Sequence, residues 1–330
     1  MKTFTFLLVA SLLVINNLFA QAPEESPELK QATTLTEEAL KLFKDGKYDD
    51  ALSRARRALE IREKLLPQTD PRIATSLSYV GDIYLVKKNY KSARPLFERL
   101  LQMQTEQFGP EHVNLANTLD RLAVLYAREG SAVKADEMYK RGLTLREKAF
   151  GPDDLRVAQS EYALAQFYRG EQDFDRSADH YKRALLIYGR ASGLKNPEFE
   201  RASDGLTCLY YESGKRQLIE DLNKIRQQFV PPNEALGKVQ RHILDGKALK
   251  LPKPKYPMAA RERRLSGIVV VKVEIDEEGK VINATDMCQG PPYLTESALE
   301  SAREALFEPM QINGQPAKFK GVLRYKFVVP

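Results

Sequence analysis

Three histidines and two cysteines are the residues of this 330-residue chain with an obvious capacity for metal binding or nucleophilic chemistry. His112, His180 and His242 are scattered, and no His-Glu-x-x-His run brings two of them onto one helix face. Cys208 and Cys288 have no metal-ligand spacing. They leave two readings open. One is a single disulfide, if the compartment is oxidising. The simpler one is two isolated core thiols. No Gly-x-Ser-x-Gly elbow and no phosphate-cradling glycine-rich loop occurs. The expectation is a protein that is not an enzyme and holds no cofactor or metal. Asn283-Ala284-Thr285 fits a glycosylation acceptor by chance.

Composition is that of a soluble globular protein, with 43% hydrophobic and 29% charged residues. A net charge of +6 is too mild to argue for nucleic acid, which needs basic residues gathered on one face. One local excess stands out. From Lys247 to Arg264, seven basic residues (Lys247, Lys250, Lys253, Lys255, Arg261, Arg263, Arg264) face one acidic residue, Glu262. Leu251-Pro252-Lys253-Pro254-Lys255 is extended, because proline restricts itself and its predecessor. The segment reads as a solvated connector, or as a peripheral contact for an anionic surface.

The elements that position these residues are set by a 42-residue period. Ala32, Ala74, Ala116 and Ala158 fall one period apart, as do Tyr84, Tyr126, Tyr168 and Tyr210. Ala39, Gly81, Ala123, Ala165 and Thr207 keep one position small, and Leu59, Leu101, Leu143 and Leu185 keep another leucine. Gly109, Gly151 and Gly193 mark joints where a helix ends. Within a period, Ile73, Leu77, Val80, Ile83 and Tyr84 form one helical stripe. Lys88-Asn89 breaks it, and Tyr90 to Leu101 starts another. The expectation is ten helices in five hairpins over residues 32–229, each burying its apolar face on the next. The last helix, Lys215 to Phe229, breaks the columns and reads as a polar cap.

The runs SLSYVGDIYLVKKNYKSARPLFERLLQMQTEQFGPEH and TLDRLAVLYAREGSAVKADEMYKRGLTLREKAFGPDD resemble tetratricopeptide repeats, in the longer form found in kinesin light chain. The resemblance covers about 200 residues. It implies an all-α superhelix whose first helices line a groove for extended or helical peptides. The asparagine clamp of that family is replaced here by Asp120-Arg121, Ser78-Tyr79 and Tyr162-Ala163, so the groove candidates become Asn114, Asn117, Arg121 and Gln159.

Two further segments bracket the repeats. Residues 1–20 pair Lys2 with a short apolar run ending at Leu18-Phe19-Ala20, which reads as a cleavable secretory signal. Residues 21–31 read as a disordered leader, and residues 230–249 as a linker. In residues 250–330, Met258 to Leu265 reads as a short helix, Gly267 to Ile275 and Lys280 to Asp286 as strands, Leu294 to Leu306 as a helix capped by Thr295, and Gly321 to Val329 as a last strand. The set YPMAARERRLSGIVVVKVEIDEEGKVINA, GPPYLTESALESAREALFEP and GQPAKFKGVLRYKF resembles the C-terminal domain of the TonB family. That resemblance implies a small α+β domain, one or two helices on a three-stranded antiparallel sheet. It also implies partners that add a strand to the sheet edge. The edge residues are then Lys253, Lys255, Tyr256, Val322, Leu323, Arg324 and Tyr325. The function expected is a non-catalytic periplasmic adaptor. Its partners are envelope proteins or peptides, outer-membrane TonB-dependent receptors among them, with no nucleic acid and membrane contact at most peripheral. The alternative is a TonB-like energy transducer anchored in the inner membrane by an uncleaved N-terminus. In either case a Pro-containing linker permits relative motion of the two domains.

Overall fold

The computed structural model describes residues 26–229, 242–243, 248–312 and 314–329. The signal segment, residues 21–25 and most of the linker lie outside the described residues. The chain divides into two compact units, residues 1–131 and 132–330.

The first unit contains α1 (Pro27–Lys44), α2 (Tyr48–Leu65), α3 (Pro71–Val86), α4 (Tyr90–Phe108), a 3-10 turn (Val113–Leu115) and α5 (Ala116–Arg128). Residues 27–31, expected to be disordered, are the first turns of α1. Ser26 caps that helix by accepting from the Leu29 amide at 3.2 Å, and Ala32 is fully buried. Asp70 and Asn89 cap α3 and α4 in the same way. The small column has a packing reason. A Cβ on Gly81 would lie 2.7 Å from the ring of Phe97, so the α3–α4 crossing requires glycine there.

The second unit begins with α6 (Ala132–Phe150), α7 (Leu155–Gly170), α8 (Phe174–Ser192), α9 (Pro197–Ser213) and α10 (Gln217–Gln227). The helix joints fall where the period places them, with Gly151 and Gly193 at positive φ of 85° and 67°. One column departs from type. Leu35, Leu77 and Leu119 are core residues, and the next member is Glu161, which is fully buried. Its carboxylate meets His180 Nδ1 at 2.5 Å and Arg183 Nη1 at 2.5 Å, so the buried charge is paired.

The second unit continues as a small α+β domain: β1 (His242–Ile243), β2 (Ala248–Lys250), α11 (Met258–Glu262), β3 (Gly267–Ile275), β4 (Val281–Asp286), α12 (Pro292–Arg303), β5 (Leu306–Phe307), β6 (Gln311–Ile312), β7 (Gln315–Pro316) and β8 (Phe319–Phe327). The main sheet has the order β1-β8-β3-β4. Three strands are antiparallel as expected. The fourth, β1, comes from the segment read as a linker and runs parallel to β8, pairing His242 with Gly321 and Ile243 with Val322. β2 pairs with β5 in a separate two-stranded sheet. Gly279, at φ 85°, closes the β3–β4 turn within contact of the Phe307 carbonyl, and a Cβ there would sit 2.0 Å from that oxygen. The helix cap differs from expectation. α12 starts at Pro292, and Thr295 lies inside its first turn, donating to the Pro291 carbonyl at 3.1 Å.

Candidate functional sites

Strand alternation gives the sheet two faces. Val269, Val271, Val273 and Ile275 of β3 and Leu323, Tyr325 and Phe327 of β8 point to one side, where they form a core with Leu294, Ala298 and Ala302 of α12. Val270 and Val322 point to the other side and are buried against Tyr211 of α9. The second face is thus covered by the end of the helical array. Around this apolar patch the charges are complementary. Lys272 reaches Glu200 at 2.5 Å and Asp204 at 3.4 Å, both on α9. Arg169 of α7 pairs with Glu212 of α9 at 2.8 Å and donates to the Cys288 carbonyl at 3.2 Å. The Glu212 carboxylate beside it raises the Arg169 pKa. Arg226 of α10 is brought down to about 10 by burial.

A covalent link crosses the same seam. Cys208 of α9 and Cys288, just after β4, form a disulfide with Cα atoms 5.5 Å apart. The simpler reading, isolated thiols, is corrected. Asp286 positions Cys288, since its carboxylate accepts from the Cys288 amide at 3.2 Å and the Gly290 amide at 2.9 Å. Two related expectations also change. The array does not end on α10 alone, because the sheet covers α9. Neither does the α+β domain swing on a linker, because the disulfide, the apolar patch and the ion pairs fix it to α9. The sequence carried a signal for this. The run Gly267-Ile268-Val269-Val270-Val271 is apolar without alternation, the pattern of a strand buried on both faces.

The residues expected at a strand-addition edge fall in different settings. β8 pairs with β3 along its whole length. On its outer side, Gly321 and Val322 are taken by β1. Leu323 and Tyr325 are buried in the core and Arg324 is exposed. Tyr256 is not an edge residue. Its ring packs on Phe327 and its hydroxyl donates to the Leu265 carbonyl. The segment before it lies along α12, where the Lys255 carbonyl accepts from Ser297 Oγ at 2.6 Å, and leaves Lys253 and Lys255 exposed.

The groove candidates separate. Asn114, Asn117 and Arg121 line one polar cavity of about 300 Å³ in the first unit, with Ser78, Gln104 and Thr118. Asn114 lies in the 3-10 turn, where its amide donates to His112 Nδ1 at 3.2 Å. Tyr79 and Arg121 also border a second cavity of about 420 Å³, mostly apolar, lined by Ala39, Leu40, Phe43, Ile83, Leu85 and Val86. Arg121 is held between the two by Asp82, Nε to Oδ1 at 2.6 Å and Nη2 to Oδ2 at 3.2 Å. The apolar cavity and Asp82 were not foreseen. Gln159 is exposed on α7 in the second unit. Chemically, the paired cavities suit an apolar side chain beside a polar backbone.

No helix among the described residues is long and apolar enough to cross a membrane. Comparison with curated proteins finds no match. Among solved structures, the nearly identical tetratricopeptide-like repeats of a protein described as a Podosopora anserina kinesin light chain are 19% identical, cover 62% of this chain and 98% of their own, and superpose with a TM-score of 0.52. BtubC of P. vanneervenii is 20% identical over 64% of this chain and 96% of its own, with a TM-score of 0.48. The first likeness shows the helical-repeat fold. Tetratricopeptide repeat models match residues 31–72, 72–148 and 119–189, and the model of the Gram-negative bacterial TonB protein C-terminal region matches residues 252–329. The chain therefore carries tetratricopeptide repeats in its N-terminal part and a TonB-type C-terminal domain at residues 252–329.

Proposed function

We propose that the protein is a non-catalytic adaptor exported to the periplasm. There the TonB-type domain takes an extended segment of an envelope protein by strand addition, and the paired cavities of the first unit take a second peptide. The observation that carries this reading is the joining of tetratricopeptide repeats to a TonB-type domain at residues 252–329, two folds that bind proteins or peptides. Strand addition draws affinity from the main chain of a sheet. The Cys208–Cys288 link accords with an oxidising compartment. Outer-membrane receptors are the leading partner class, through the TonB-like role of the domain.

The test is site-specific photocrosslinking in cell envelopes. A photoreactive residue replaces Lys326, exposed on β8, and in a second protein Asn114, at the polar cavity. Adducts from position 326 that map to an extended segment of an outer-membrane protein support the reading. Adducts from position 114 alone would leave binding to the repeats and remove strand addition. A purified chain that begins at Met1 in the inner membrane, rather than at Gln21, would replace the exported adaptor with an anchored transducer.

A further inference from the structure

We propose that the strap from Lys250 to Arg264 is a docking surface for membranes rich in anionic headgroups, which seats the TonB-type domain peripherally on a bilayer. The charge of the molecule is concentrated here. The strap holds six basic residues and one acidic residue, five of the chain's six net positive charges. The strap is also ordered. Lys250 pairs with Leu306, Ser297 holds the Lys255 carbonyl, the Tyr256 ring rests on Phe327, and Ala260 is fully buried.

These anchors sort the side chains. In the extended part, Pro252, Pro254 and Tyr256 are half-buried, while Leu251, Lys253 and Lys255 alternate with them on the solvent side. In α11, Ala260 faces the core, and Met258, Arg261 and Glu262 face out at i, i+3 and i+4. Cations of the repeats are commonly paired, as in Arg121–Asp82 and Arg156–Asp154. Among the described residues, Lys250, Lys253, Lys255, Arg261 and Arg264 make no ion pair. Arg263 stacks over the Tyr293 ring at 4.5 Å.

Exposed apolar side chains choose between polyanions. Met258 is 77% exposed and Leu249 is 60% exposed, and both lie in or beside this basic stretch. An acidic protein face would satisfy the cations and leave these groups in water. A bilayer interface takes both, the cations among headgroups and the apolar groups at the acyl boundary.

The test is co-sedimentation of the chain from Gln21 onward, which retains every described element, with vesicles of phosphatidylglycerol in phosphatidylcholine and with phosphatidylcholine alone. The expected result is binding to the anionic vesicles only, lost at high salt. The triple variant Lys253→Gln, Lys255→Gln, Arg261→Gln should bind about a hundredfold more weakly, at about fivefold per charge. All three side chains are exposed, so its melting temperature should match the parent. Met258→Ser should weaken binding about tenfold with charge unchanged. Equal binding to both vesicle types, parental binding by the folded triple variant, or no binding to anionic vesicles at low salt each overturns the proposal. The last outcome would favour an acidic protein partner.

Discussion

Removing the Cys208–Cys288 link tests whether the TonB-type domain is fixed to the array. The double variant Cys208→Ser, Cys288→Ser removes the bond and replaces each sulfur by a hydroxyl of similar size. The bond closes a loop of 80 residues. Loop-closure entropy for that length corresponds to about 4.5 kcal/mol, acting through the unfolded chain. For a unit of this size, each kcal/mol moves Tm by about 2–4 °C, so the second unit should melt about 10–15 °C lower. The domain should nevertheless stay docked at ambient temperature. Val270, Val322 and Tyr211 remain buried together, at about 1.5–3 kcal/mol for each fully buried large apolar side chain, and Lys272 still meets Glu200. The assay is scanning calorimetry of parent and variant, with and without reductant, alongside non-reducing peptide mapping of the parent. The reductant should lower the parent to the variant's Tm and leave the variant unchanged. A parent with two free thiols, or a variant within about 2 °C of the oxidised parent, would refute the covalent part of the seam.

Three other perturbations test particular contacts. Gly279→Ala forces a Cβ into the Phe307 carbonyl at a positive φ and should cost on the order of 3 kcal/mol in chemical denaturation. Glu161→Ala should cost about 3 kcal/mol by leaving a void and removing the carboxylate from His180 and Arg183, whereas Glu161→Leu refills the volume of the repeat's own column and should recover only the void's share of that loss. Asp154 caps α7 and binds Arg156, which holds its pKa at about 2 against 3.8. A depressed carboxylate stabilises above its unfolded pKa and loses that contribution as pH falls through the folded one. Asp154→Ala should therefore cost about 1 kcal/mol at neutral pH, and the difference from the parent should shrink between about pH 4 and pH 2.

Local rules made the helices readable. Small residues, leucines and tyrosines recur at fixed places because each hairpin meets the next in the same way, so Lys88-Asn89 and Gly109 mark helix ends without reference to anything distant. β3 was readable end to end for the same reason. The features missed depend on residues far apart in sequence. Cys208 meets Cys288 only because α9 lies on the sheet, and nothing at either position names the other. β1 arises from a stretch whose prolines and polar residues read as connector, and its pairing is supplied by β8. Tyr256 was assigned to an edge from its place in a motif, whereas its ring serves the core. At the cavities, residue type identified Asn114, Asn117 and Arg121, but the Asp82 ion pair that holds Arg121 requires α3 and α5 to be adjacent.

The covered sheet face bears on how the β8 edge would select a partner. An isolated two-faced sheet would present its edge strand with one face in water, and an added segment would be read mainly on the helix side. Here Leu323, Tyr325 and Phe327 are held on the α12 side, while Val322 is held against α9. The edge is ordered from both faces, so an incoming segment need not supply the energy to order it. A strand added to this sheet would place alternate side chains toward the α12 side and the α9 side. The α9 side carries the acidic Glu200 and Asp204 facing Lys272 and Lys320. Under the proposed strand addition, the repeats would flank one face of the ligand that the TonB-type domain takes. Substitutions at exposed positions of α9 should alter the preference for alternate residues of the segment while leaving the main-chain pairing in place. That coupling is what separates this arrangement from two modules joined by a tether.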